Sequence, residues 1–176
     1  MRWTWLDLIL ELEKETRCVA IRNVTWQEDQ LTDHFGRDPE VSYGPVPVMP
    51  NSLVIEGMAQ CAGILVGHAR EFEEKVILAK IGKAVFTGLA AQPGTTLRHT
   101  ATLERIDDSG AATTGVVELI YPHTGEVKPY ATVDLMFSHV DKNRSGLEFP
   151  EHNFVFTQEF ADLLDRSGFP MANPPG

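Results

Sequence analysis

The chain has 176 residues, 43% hydrophobic and 23% charged, proportions that suit one globular domain long enough to bury a sizeable core. Its net charge of −10, from 15 basic and 25 acidic residues, argues against nucleic acid as a partner and against attraction to an anionic membrane. Cys18 and Cys61 suggest neither a metal site nor a disulfide framework, and the acidic N-terminal stretch offers no signal cleavage site, so a reduced cytoplasm is the expected location.

Residues 6–15 predict a short amphipathic helix, with Leu6, Ile9, Leu10 and Leu12 on one face and Glu11, Glu13 and Lys14 opposite. The β-branched and aromatic content of TRCVAIRNVTWQ reads as a strand. The acidic EDQLTD leads into a loop that begins near His34 and contains Pro39, Pro45, Pro47 and Pro50. From Asn51 or Ser52, either a plausible N-cap, the sequence is apolar on every face to about Arg70. A helix of that kind belongs in a core. Glu56 and Gln60 interrupt it, so it falls short of the apolar length of a membrane span.

KVILAKIGKAVFTG then predicts a strand bent at Gly82. Three alternating strands follow, with Leu97, His99, Ala101 and Leu103, then Val117, Leu119 and Tyr121, then Ala131, Val133, Leu135 and Phe137 on their inner faces. Turns at Asp107–Gly110 and His123–Glu126 make them an antiparallel meander. A last helix is predicted in TQEFADLLDRSG, with Thr157 as cap and Gly168 past its end. The fold class is α+β, a strongly bent antiparallel sheet curled around one long helix. The whole chain reads as one domain, with a core over about 17–140 and a C-terminal extension over about 141–176.

Between Leu53 and Gly67 the only charge is Glu56. A buried carboxylate is costly unless paired, hydrogen-bonded or neutralised. An isolated His or Glu is more commonly a surface residue or a helix cap. Here, however, the helix N-terminus favours a carboxylate while burial would raise its pKa, an environment for an acid that protonates a leaving group. His34, titrating near neutrality, is the natural partner base, and the pair needs no metal or cofactor. His99 is read as a satisfied core histidine and Cys61 as a small core residue. His68, His123, His139 and His152 lack partners at ligand spacing. Lys80, Lys83, Arg98 and Arg105 read as a solvated face that could also dock an acidic carrier or the phosphates of coenzyme A.

His34-Phe35-Gly36-Arg37-Asp38-Pro39, then Val48-Met49-Pro50, then LVIEGMAQCAGIL resembles the signature of the beta-hydroxyacyl-acyl-carrier-protein dehydratases of fatty-acid synthesis. The likeness covers about residues 17–140 and implies a hot-dog fold, dimerised by pairing sheets edge to edge, with a trimer of dimers as a further possibility. It implies that His34 from one subunit removes the α-proton of an acyl thioester while Glu56 from the other protonates the departing β-hydroxyl. The backbone N–H at Asn51 would polarise the thioester carbonyl. Gln60 would orient Glu56, and Val48 would contact substrate. The thioester would be carried by acyl-carrier protein or coenzyme A. Two features depart from the family pattern: Asn51 stands where the family has Gly, and Glu40–Pro47 is inserted between base and acid. Two rival readings are a hot-dog thioesterase and a catalytically silent acyl-binding hot-dog protein.

Overall fold

The computed structural model describes residues 3–32, 47–139 and 155–174. Six strands, β1 (Leu8–Glu13), β2 (Arg17–Asn23), β3 (Val76–Phe86), β4 (Thr96–Asp107), β5 (Gly110–Tyr121) and β6 (Glu126–His139), form one antiparallel sheet in the order β1-β2-β4-β5-β6-β3. Helix α1 (Asp29–Thr32) is a single turn, α2 (Asn51–Ala69) runs along the inner face of the sheet, and α3 (Gln158–Arg166) lies by β1. This is the expected hot-dog plan.

One element departs from its predicted type. Residues 8–13 form β1 rather than a helix. The chain reverses at Glu15, in the left-handed region with φ 58°, and Leu8 and Glu13 pair opposite Ile21 and Arg17. The apolar spacing that mimics a helical face arises at a bulge between Ile9 and Glu11, which leaves Leu10 exposed while Leu6 and Ile9 stay buried. Pairing with β2 overrides the local pattern.

Elsewhere the periodicity holds. Leu97, His99, Ala101, Val117, Leu119, Ala131, Val133, Leu135 and Phe137 all face the core. Pro129 stands opposite Glu118, where the β5–β6 register shifts, consistent with a residue that has no N–H to give the ladder. In β3 the pairing slips at Leu78/Lys80 and again at Ile81/Lys83, across Gly82, where the sequence predicts a bend.

Pro50 is the N-cap residue of α2, so Asn51 is its first helical residue, one position later than a cap. Pro50 suits a helix entry because its φ is fixed, and its carbonyl accepts from Leu53 N and Val54 N. Val54, Met58, Cys61, Ile64, Leu65 and Val66 are buried against strands β2 to β6, chiefly β4. Each large side chain so placed contributes about 1.5–3 kcal/mol. By length and hydropathy α2 does reach a membrane span, contrary to expectation, but 67% of that stretch is buried inside the protein, where it serves as the core helix.

Glu71 and Phe72 both adopt left-handed backbone just past α2, and Phe72 N–H donates to Gly67 O at 2.7 Å. The left-handed conformation costs about 1–2 kcal/mol per non-glycine residue. Here it turns the Phe72 ring onto Phe156 in an edge contact with centroids 5.0 Å apart. The Phe156 ring in turn fills the space over Gly67, where an added Cβ would lie 2.3 Å from it. This notch holds the C-terminal segment against α2, and α3 is fastened to β1 by Ile9 N to Ser167 Oγ (3.0 Å) and Arg166 Nη2 to Asp7 O (3.0 Å).

Candidate active site

Glu56 sits in the second turn of α2, half-buried, with Gln60 one turn further on the same face. The extended N-terminal segment crosses that face and binds both residues. Trp5 N–H donates to Gln60 Oε1 (2.8 Å), and Gln60 Nε2 donates to Trp3 O (3.0 Å) and to Glu56 Oε1 (2.9 Å). Trp3 Nε1 also donates to Glu56 Oε1, at 3.1 Å. Trp3 and Trp5 stack edge to face at 5.4 Å, and the Arg22 guanidinium lies 5.4 Å from the Trp5 ring centroid. Arg22 is itself held by Asp7 and Glu28, each at 2.8 Å.

Both donors therefore address the same oxygen. With Oε1 committed to accepting, Oε2 is the oxygen suited to carry a transferable proton. Gln60, satisfied on both sides by backbone, is pinned in its orientation and pins the carboxyl with it.

A cleft of about 470 Å³ opens beside this carboxyl. Glu56, Ala59, Gln60 and Gly63 form its floor along one face of α2, while Val76 and Leu78 of β3 and Phe137 of β6 form one side. The C-terminal segment closes it with Phe156 and Phe160. A carboxyl at one end of an apolar groove of this size suits an elongated apolar molecule with one reactive polar centre.

Asn51 and Val48 are not among the residues that line the cleft. Asn51, at the start of α2, accepts a hydrogen bond at Oδ1 from the Tyr130 hydroxyl (3.1 Å). It is not among the residues with positive φ, so this position does not demand glycine; Asn51 instead ties the helix start to β6. As the first helical residue its N–H has no intrahelical partner. Val48 is half-buried in the extended entry to α2, which Met49 N fastens to Ala91 O at 2.8 Å. His34 and positions 40–46 of the insertion lie outside the described residues. Arg98 and Arg105 are paired with Glu118 (2.8 Å) and Asp107 (3.4 Å), so neither is an uncommitted cation.

His99 is in the core, as predicted, but it is not satisfied. Among the described residues neither ring nitrogen has a hydrogen-bond partner. Complete burial lowers its pKa from 6.5 to about 4, opposed only by the Val54 backbone, which is near enough to favour a protonated ring without making a well-aligned bond. Cys18 and Cys61 are buried free thiols, and Cys61 Sγ lies 3.5 Å from Cys18 O. The Cys18 thiol is pushed up by its Cys61 neighbour and by burial, which keeps it protonated. Among the described residues no group of three or more His, Cys, Asp or Glu is placed to hold a metal ion.

Sequence reading missed Trp3, Phe156 and Phe160. The aromatic pair flanking Thr4 at the start of the chain was a visible signal for the first, whereas nothing local marks the two phenylalanines as parts of a cleft made by α2 and β3.

The curved antiparallel sheet wrapped on one central helix defines a hot-dog fold. Residues 3–126 match the model of the FabA-like domain, and the chain belongs to that family. It is 34% identical over 133 residues to the 3-hydroxyacyl-[acyl-carrier-protein] dehydratase FabZ of Caldanaerobacter subterraneus, covering 75% of this chain and 84% of that one. It is 42% identical over 95 residues to the FabZ of Solibacter usitatus, a match that spans 53% of this chain and 52% of the relative. Among solved structures, the dehydratase heterocomplex ApeI:P of Xenorhabdus doucetiae shares the fold with a TM-score of 0.58 at 17% identity, covering 80% of this chain and 85% of that one. A thioesterase family protein of Silicibacter pomeroyi does so with a TM-score of 0.58 at 15% identity, covering 74% and 82%.

Proposed function

We propose that this protein is a hydro-lyase that removes water from beta-hydroxyacyl thioesters, carried by acyl-carrier protein or coenzyme A, to give trans-2-enoyl thioesters for fatty-acid or related acyl-chain synthesis. The observation that carries the reading is the Glu56 carboxyl, fixed through Oε1 by Trp3 and Gln60 at the head of an apolar cleft in a FabA-like chain.

In the reaction, His34 takes the proton from the carbon next to the thioester carbonyl. The electron pair forms the new carbon–carbon double bond, the β-carbon–oxygen bond breaks, and Glu56 Oε2 delivers its proton to the departing hydroxyl, which leaves as water. The Asn51 N–H, at the positive end of α2, stabilises the charge that builds on the carbonyl oxygen. Return of the proton from His34 to Glu56 through solvent restores the starting state.

The base and acid belong to different subunits of a homodimer, with a trimer of dimers as the larger assembly. Support comes from the sheet. α3 lies along β1 at one end, but at the other end nearly all of β3 is exposed, including Leu78, Ile81 and Val85, and among the described residues no strand pairs with its outer edge. An apolar edge of that length invites a second copy. The expected location is the cytoplasm.

Purified protein offered 3-hydroxyacyl thioesters should produce enoyl thioester, read by its ultraviolet absorbance. Glu56→Gln and His34→Ala should each lower kcat by at least about a hundredfold. Hydrolysis of saturated acyl thioesters without any enoyl product would transfer the protein to the thioesterases. Undiminished turnover in both variants would end the acid–base assignment.

A further inference from the structure

We infer that the C-terminal segment, through Phe160 backed by Phe156, is the stop that sets acyl-chain length in the Glu56 cleft. This deepens the proposed activity and rests on it for the identity of the ligand. The family match ends at residue 126, so α3 and the segment before it, which supply these two rings, lie outside the matched residues.

The floor of the cleft runs along α2 from Glu56 through Ala59 and Gln60 to Gly63, one face of two helical turns. Gly63 keeps this floor low: a Cβ there would come 3.8 Å from the Phe137 ring, closing the gap between helix and sheet to contact distance. One turn beyond, the Phe156 ring occupies the notch over Gly67. Phe156 is 3% exposed and wedged against Phe72, so it cannot swing aside. Phe160 stands against it edge-on, with centroids 6.4 Å apart, and is half-buried at the cleft surface. The groove thus has Glu56 in its floor and Phe156, Glu159 and Phe160 of the C-terminal segment in its wall.

Gly67 lies eleven positions beyond Glu56 on α2, about 16 Å at 1.5 Å per residue. An extended hydrocarbon advances about 1.3 Å per carbon, given C–C bonds of about 1.5 Å. After contact radii are taken off both ends, at most about ten carbons fit between the reacting centre and the Phe156 ring. A medium acyl chain fills the groove, and a longer one meets Phe160.

The test uses the full-length chain, its Phe160→Ala and Phe160→Trp variants, and saturated acyl-CoA thioesters from butyryl to palmitoyl, with affinity read by calorimetry. Enoyl formation from the corresponding 3-hydroxyacyl series is measured alongside. Affinity of the unaltered protein should rise about fourfold per added methylene and then stop at a medium length. Phe160→Ala should carry the rise at least about two carbons further, and Phe160→Trp should end it earlier. Should the alanine variant fail to fold, Phe160→Leu and Phe160→Trp give the same comparison in opposite directions. A break at one length in all the folded proteins overturns the inference, as does the absence of acyl-CoA binding at any length. A break that moves with residue 160, without enoyl product from any substrate, upholds the length stop and removes the dehydratase reading.

Discussion

Acidification should weaken this fold through one residue, His99. In the native protein its imidazole is fully buried with no hydrogen-bond partner among the described residues, and it stays neutral down to about pH 4; in the unfolded chain it protonates near 6.5. As pH falls below 6.5 the unfolded state therefore binds a proton that the native state refuses, and stability drops until about pH 4, where both forms take it up. A separation of about 2.5 pKa units corresponds to a loss of about 3 kcal/mol across the window, of which about 2 kcal/mol is gone by about pH 5. Carboxylates titrate over part of the same range, so the measurement is a difference: urea unfolding of the unaltered protein and of His99→Leu, at steps between about pH 7 and 4. The gap in unfolding free energy between the two should change by about 3 kcal/mol in favour of the variant as pH falls. A gap that stays constant with pH would show that His99 is hydrated or partnered in solution and would refute the reasoning.

The His99 ring also leaves no room for a side chain at Gly57, where a Cβ would lie 2.9 Å from Nε2; Gly57→Ala should lower stability by about 1–3 kcal/mol in urea unfolding although alanine is the better helix former. Trp3→Phe removes one of the two donors to Glu56 Oε1 and should reduce kcat about three- to fivefold with little change in KM, the modest size reflecting the 56% exposure of Trp3. On β3, Ile81→Lys with Val85→Lys places charges on an edge that should be covered by a second subunit, and light scattering after gel filtration should report monomer where the unaltered chain gives a dimer.

Much of the fold could be read from periodicity because its strands have one wet face. The inner residues from Leu97 to Phe137 follow from alternation alone, and α2 follows from a long apolar run opened by a proline. The error at β1 has a physical cause: a bulge breaks the period of two, and what remains imitates a helix until β2 is there to pair with. In the site, the Glu56–Gln60 contact was predictable because both residues lie on one helix, four positions apart. The contribution of Trp3 joins residues 53 apart in sequence, and that of Phe160 depends on how α3 is fastened to β1 and Phe156 to Gly67. Neither pattern nor propensity encodes such docking. Asn51 illustrates the reverse case, where a substitution that looked like a backbone matter proved to be a side-chain tether to Tyr130.

The strand-like crossing of Trp3 and Trp5 over Gln60 has a practical side. Trp3 and Thr4 line the cleft beside Glu56, so the leading end of the described chain is part of the cleft wall. Kinetic comparisons among variants should therefore use protein whose leading end is unmodified.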